Sequence, residues 1–175
     1  MSSFTGEYQG RLAGPWTDII DQLPLLFERA CRYDKVRVAE FGVRTGESTA
    51  AFLAAAERTG GLVCSYDVAW PQVPEWWHRS PHWAFANMSS LDAVTEAVDV
   101  LFIDTSHAYG ETMAELRRHV PSVKPGGLVL MHDTKLDRPP FEPYAVARAL
   151  DDYCAETGRA WSELGGMLGL GEILI

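Results

Sequence analysis

The sequence predicts an α/β protein: a three-layer sandwich whose mainly parallel sheet is covered by helices on both faces. Three observations predict it. Short apolar, β-branched runs alternate with segments rich in helix formers along the 175 residues. The runs are near-continuous in apolar residues, as strands buried on both faces require. Several of them stop abruptly at an acid or a glycine, as strands feeding a ligand edge do.

The elements follow in order. "WTDIIDQLPLLFERACR" places Ile19, Ile20, Leu23, Leu26 and Phe27 at helical spacing, with Thr17 or Asp18 as cap and a bend at Pro24. Val36 to Gly42 reads as the first strand, and "STAAFLAAAERTGG" as a helix closed by Gly60 and Gly61. Leu62 to Asp67 is the second strand. "VAWPQVPEWWHRSPHW" carries three prolines, which argue for a loop or broken turn leading to "HWAFAN". Its tryptophans suit a cover over a ligand, a seal on the sheet edge or a contact between subunits of a homo-oligomer. "VDVLFID" is the buried fourth strand. "YGETMAELRRHV" is a helix with acids early and bases late, matching its dipole. "GGLVLMHD" is a strand and "YAVARALDDYCAETG" a helix. "GRAWSEL" and "LGLGEILI" close the chain as strands.

These elements suffice for one domain, with an N-terminal segment over 1–35 and a core over 36–175. The net charge of -9 and the lack of any Lys/Arg run speak against nucleic acid or an anionic membrane as partner. The three cysteines are odd in number and far apart, which favours free thiols in a reducing compartment. The N-terminus has no signal-peptide core and no apolar run spans a bilayer, so a cytoplasmic protein is expected.

Polar groups mark the strand ends: Glu40-Phe41-Gly42, Asp67, Asn87-Met88, Asp104 and His132-Asp133. In open α/β sheets ligands bind outside those ends. The first end opens the loop "EFGVRTGEST". Glycines there let the backbone turn and a ligand approach, and the next helix start attracts an anion. The dinucleotide fingerprint is not met, because Arg44 stands where its second glycine would be. A phosphate loop is not met either, because Glu47 follows Gly46.

"VAEFGVRTGEST" resembles the first motif of class I S-adenosylmethionine-dependent methyltransferases, E/D-x-G-x-x-x-G-x-S/T. The resemblance implies a Rossmann-like sheet of seven strands, the last antiparallel. It also implies that Glu40, Gly42, Thr45, Gly46 and Ser48 hold the methionine part of the cofactor. Asp67 lies where an acid accepts both ribose hydroxyls. Met88 and Ser89 fall in the region that takes the adenine.

Asp104 and Asp133 end neighbouring strands, and two carboxylates meeting in a cleft call for a cation or a proton between them. His107 follows Asp104 closely enough to serve as a base. "FIDTSHAY…VPSVKPGGLVLMHDT" is similar to a subgroup near the macrocin- and mycinamicin-type sugar O-methyltransferases and the cephalosporin-hydroxylase-like proteins. That similarity implies a divalent metal, Mg²⁺ by type, on Asp104, His132 and Asp133, with His107 as base toward an acceptor hydroxyl. His132 stands where the subgroup has an acid, and Thr105 where it has a glycine. The expected activity is methyl transfer to a small-molecule hydroxyl. The alternative is a non-catalytic S-adenosylmethionine-binding module acting with a partner chain.

Overall fold

The computed structural model describes residues 3–136 and 144–175. Seven strands form one sheet: β1 (Arg37–Phe41), β2 (Leu62–Asp67), β3 (Trp83–Asn87), β4 (Val98–Ile103), β5 (Val123–His132), β6 (Trp161–Glu163) and β7 (Leu170–Leu174). Their order is β3-β2-β1-β4-β5-β7-β6. β7 runs antiparallel to both its neighbours and the other pairs are parallel. After β3 the chain returns to the far side of β1 to lay down β4, so β1 and β4 flank the switch point. Phe41 pairs with Ile103 there, and the diverging connections open a crevice.

Five helices cover the sheet among the described residues: α1 (Phe4–Leu12), α2 (Leu23–Ala30), α3 (Glu47–Thr59), α4 (Tyr109–His119) and α5 (Val146–Thr157). The first three share one core with Val38, Val63, Val100 and Phe102. The other two share the opposite core with Ala39, Phe41, Leu101 and Ile103. Alternate residues of each strand thus feed opposite layers. All six residues of β4 are buried, as its unbroken apolar run requires. α3 is buried from Ser48 to Ala56, and its alanines let it lie close between the sheet and α1 and α2. No helix among the described residues is long and apolar enough to cross a membrane.

The N-terminal region differs from the expected single helix. Ile20–Gln22 form a 3-10 turn and α2 starts only at Leu23, with no side-chain cap, so neither Thr17 nor Asp18 caps it. Pro24 sits in the first turn, where its missing N–H goes unused, so it marks a start and not a bend. α1 precedes it, capped by the Ser3 hydroxyl, which accepts from the Gly6 amide at 3.1 Å. The tryptophan connection contains a 3-10 turn, Glu75–Arg79, that buries Trp77 completely. β5 begins earlier than expected, at Val123, and its pairing with β4 shifts register between Val98 and Val100.

Candidate active site

Strand alternation sends Glu40 to the α3 face of β1. There its carboxylate accepts from Ser48 at 2.7 Å, Thr49 at 2.8 Å and Ser65 at 2.6 Å. Burial pushes this carboxyl up to about 7, although the three hydroxyls pull the other way. Glu40 is wholly buried and, unlike Gly42 and Ser48, does not line the cleft at the ends of β1 and β4. It ties β1, β2 and the start of α3 together instead.

Gly42 has φ +90, and a Cβ there would lie 1.9 Å from the carbonyl oxygen of Asp104. The loop after β1 therefore passes flush against the end of β4. Gly46 also has positive φ, but its missing Cβ makes room for Val73 and Trp77. It does not line the cleft; it lets the tryptophan connection pack against the loop. Asp67 fastens the loop from the side. One oxygen accepts from the amides of Val43 and Arg44 at 2.8 and 3.1 Å, and the other from Ala69 at 2.9 Å.

The crevice at the switch point has two lobes that share Gly42, Arg44 and Asp104. One, of about 270 Å³, runs past Thr45 and Ser48 and is walled by Trp16, Thr17, Asp18 and Ile19. The other, of about 300 Å³, is lined by Asp67, Met88, Ser89, Ser90 and Thr105. Together they offer an elongated cleft large enough for a nucleoside carrying a side arm. Of the sequence-predicted cofactor residues, Gly42, Thr45, Ser48, Asp67, Met88 and Ser89 come together on its walls.

Two features escape the sequence reading. The stretch Trp16–Ile19 forms a wall of the cleft, and only its polar and aromatic start before the helix hints at this. Glu115 is fully buried and accepts from Ser90 at 2.5 Å and Thr105 at 2.9 Å, joining the segments after β3 and β4 that line the second lobe. Burial raises its carboxyl. The available signal is an acid on the apolar stripe of its helix, between Thr112, Met113 and Leu116.

At the β4 and β5 ends, His107 and Asp133 both adopt the left-handed backbone, with φ +61 and +63. These turns bring their side chains back over the sheet edge. His107 Nε2 lies 3.0 Å from an oxygen of Asp104 and 3.0 Å from one of Asp133. A ring nitrogen facing two carboxylates carries a proton, so Nε2 is the donor here. Burial alone would raise the Asp104 carboxyl, but hydrogen bonds from His107 and His132 hold it well below the usual carboxylate range.

Asp104, His107 and Asp133 each offer a ligand atom within 4.8 Å of the others. Two carboxylates and an imidazole suit a divalent cation. Asp133 Oδ1 is buried and makes no hydrogen bond of good geometry among the described residues; its near neighbour is the His132 ring. His132, the third residue expected there with Asp104 and Asp133, is not in this converging set. As the last residue of β5 it is buried under the carboxylates, its Nδ1 3.2 Å from Asp133 and 3.5 Å from Asp104. Burial opposes a charge on that ring. Its contacts with Asp104 and Asp133 overcome the penalty and push the imidazole up to about 10.

A seven-stranded sheet with this order, a glycine loop after β1 and an acid closing β2 define a Rossmann-like fold of the class I methyltransferase type. Residues 39–134 match the family model described as a methyltransferase domain, and the chain belongs to that family. No curated protein sequence matches it. Among solved structures it is similar to the S-adenosylhomocysteine-bound methyltransferase PaMTH1 of Podospora anserina, at 13% identity and TM-score 0.65 over 99% of this chain and 88% of that one. It is similar to the O-methyltransferase NovP at 16% identity and TM-score 0.65, over 89% and 79%. It is also similar to the MycE methyltransferase of mycinamycin biosynthesis, solved with Mg and S-adenosylhomocysteine, at 18% identity and TM-score 0.67. This chain is covered over 98% in that comparison and spans about half of MycE, 53% of its chain.

Proposed function

We propose that the chain transfers the methyl group of S-adenosylmethionine to a hydroxyl of a small molecule, with His107 taking the hydroxyl proton. The observation that carries this is the position of His107 between Asp104 and Asp133, with Asp104 also lining both lobes of the cleft. A nucleoside in the second lobe has Asp67 for its ribose and Met88 and Ser89 for its base. Its amino-acid arm then runs past Gly42 to Thr45 and Ser48.

In the reaction the acceptor oxygen bonds to the methyl carbon as the carbon–sulfur bond breaks, and the sulfonium becomes a neutral thioether. The proton passes to Nδ1 of His107, since Nε2 already carries one. Two carboxylates within hydrogen-bond reach offset the charge that the ring gains, as the orienting acid does in a catalytic triad. The walls supply alignment, which is most of what an in-line displacement needs. Asp104 and Asp133 would hold a divalent cation such as Mg²⁺, which when bound supplies Lewis-acid polarisation of the acceptor oxygen.

Calorimetry with S-adenosylhomocysteine, followed by transfer of labelled methyl to a panel of sugars and phenols, tests the reading. Binding below millimolar together with transfer to a hydroxyl is expected. No binding would remove the reading. Binding without transfer to any acceptor would leave a cofactor-binding module in its place.

A further inference from the structure

We propose that Arg44, held across the boundary of the two lobes by the loop after β1, is the residue that binds the α-carboxylate of the cofactor's methionine part. This rests on the function proposed above and names a contact that the family motif does not supply, since position 44 is a variable place in it.

The charges of the cleft make the case. Among the described residues that line it, Asp18, Glu47, Asp67, Asp104 and Glu111 are acids, and Arg44 is the one cation. S-adenosylmethionine brings an ammonium and a sulfonium, which such a wall attracts. It also brings a carboxylate, which such a wall repels. The start of α3 would ordinarily take an anion. Here the first residue of that helix is Glu47, an acid that lines the cleft, and Arg11 is already engaged in an ion pair with it. The carboxylate therefore needs a cation from elsewhere.

Arg44 is built to supply it. Its backbone is left-handed at φ +51, a conformation that costs a non-glycine residue free energy and marks a constrained site. The Arg44 amide is bonded to Asp67, and its carbonyl accepts from the Gln72 amide at 2.9 Å. Arg44 lines both lobes. Asp18 holds one end of the guanidinium at 3.2 Å, and the side chain is 74% exposed. A planar fork of N–H donors can keep that contact and still grip a carboxylate.

Calorimetry on the intact protein with S-adenosylmethionine and with its decarboxylated form tests the assignment. The unaltered protein should prefer the carboxylate-bearing form by about ten- to hundredfold, the range of a charge-assisted hydrogen bond. Arg44→Met should erase most of that preference while binding the decarboxylated form as before. Arg44→Lys should keep part of it. The assignment is overturned if Arg44→Met leaves the preference intact, or weakens both forms alike. If the unaltered protein binds neither form, the proposed function falls and this contact falls with it.

Discussion

His107 and Asp133 meet at 3.0 Å, nitrogen to oxygen, although one follows β4 and the other β5. The same nitrogen is 3.0 Å from Asp104. Replacing His107 by Ala should therefore lower kcat by about 10²–10⁴-fold, the usual contribution of a positioned base. Affinity for S-adenosylhomocysteine should change little, because His107 lines neither lobe of the cleft. Steady-state rates beside calorimetry read both quantities. A variant that keeps most of its rate at neutral pH would remove His107 as the base.

A divalent cation held as proposed would compete with His132 for the same two carboxylates. His132→Glu removes the buried positive ring and adds an acid beside Asp104 and Asp133. In EDTA the variant should melt below the unaltered protein, because three buried acids repel one another. Adding Mg²⁺ or Mn²⁺ should restore much of the loss and shift its melting temperature more than that of the unaltered protein. Asp133→Asn should abolish the metal response in either background. Identical thermal shifts in all of these variants would count against a metal at this edge.

The sheet and its ligand edge are legible in the sequence because strands buried on both faces leave unbroken apolar runs that end in polar groups. Asp67, Asp104 and Asp133 are found that way. The burial of Glu40 is not legible there, because alternation decides which face a strand residue serves and the sequence does not say that α3 would offer two hydroxyls to it. His107 and His132 come to lie on different sides of this edge for a related reason. A left-handed turn returns His107 to the edge, whereas His132 is still in β5 and points beneath. Trp16–Ile19 goes unrecognised as a wall because its packing over the loop after β1 is a long-range contact with no local signature.

Two glycines should respond oppositely to alanine. At Gly42 a methyl group would meet backbone, the Asp104 carbonyl oxygen at 1.9 Å, at a φ of +90 that alanine adopts poorly. Neither the loop nor β4 can give way without breaking the pairing of Phe41 with Ile103. Gly42→Ala should cost several kcal/mol, about 3 or more, and empty the cleft of cofactor. Gly110, in the first turn of α4, has open space around it: a methyl group there would meet nothing within 4 Å. Gly110→Ala should therefore be neutral or stabilise by about 0.5–1 kcal/mol. Urea denaturation of the two variants checks the contrast.

Glu40 should give the fold a pH dependence of its own. Its carboxyl is lifted from 4.5 to about 7 by burial, against the pull of Ser65, Ser48 and Thr49. Between those two values the folded protein keeps a proton that the unfolded chain has released. Stability from this group is therefore fully present below pH 4.5, falls as the pH rises through the window, and is lost above about 7. A window of that width corresponds to a loss on the order of 3 kcal/mol. Glu40→Gln is neutral throughout and can still accept from the hydroxyls through its amide oxygen, so it lacks this slope. The stability of Glu40→Gln relative to the unaltered protein should climb by up to that amount between acid and neutral pH, then level off. Paired urea titrations across the window measure the difference directly, and a difference that stays flat would mean that Glu40 titrates in the folded protein as it does in the open chain.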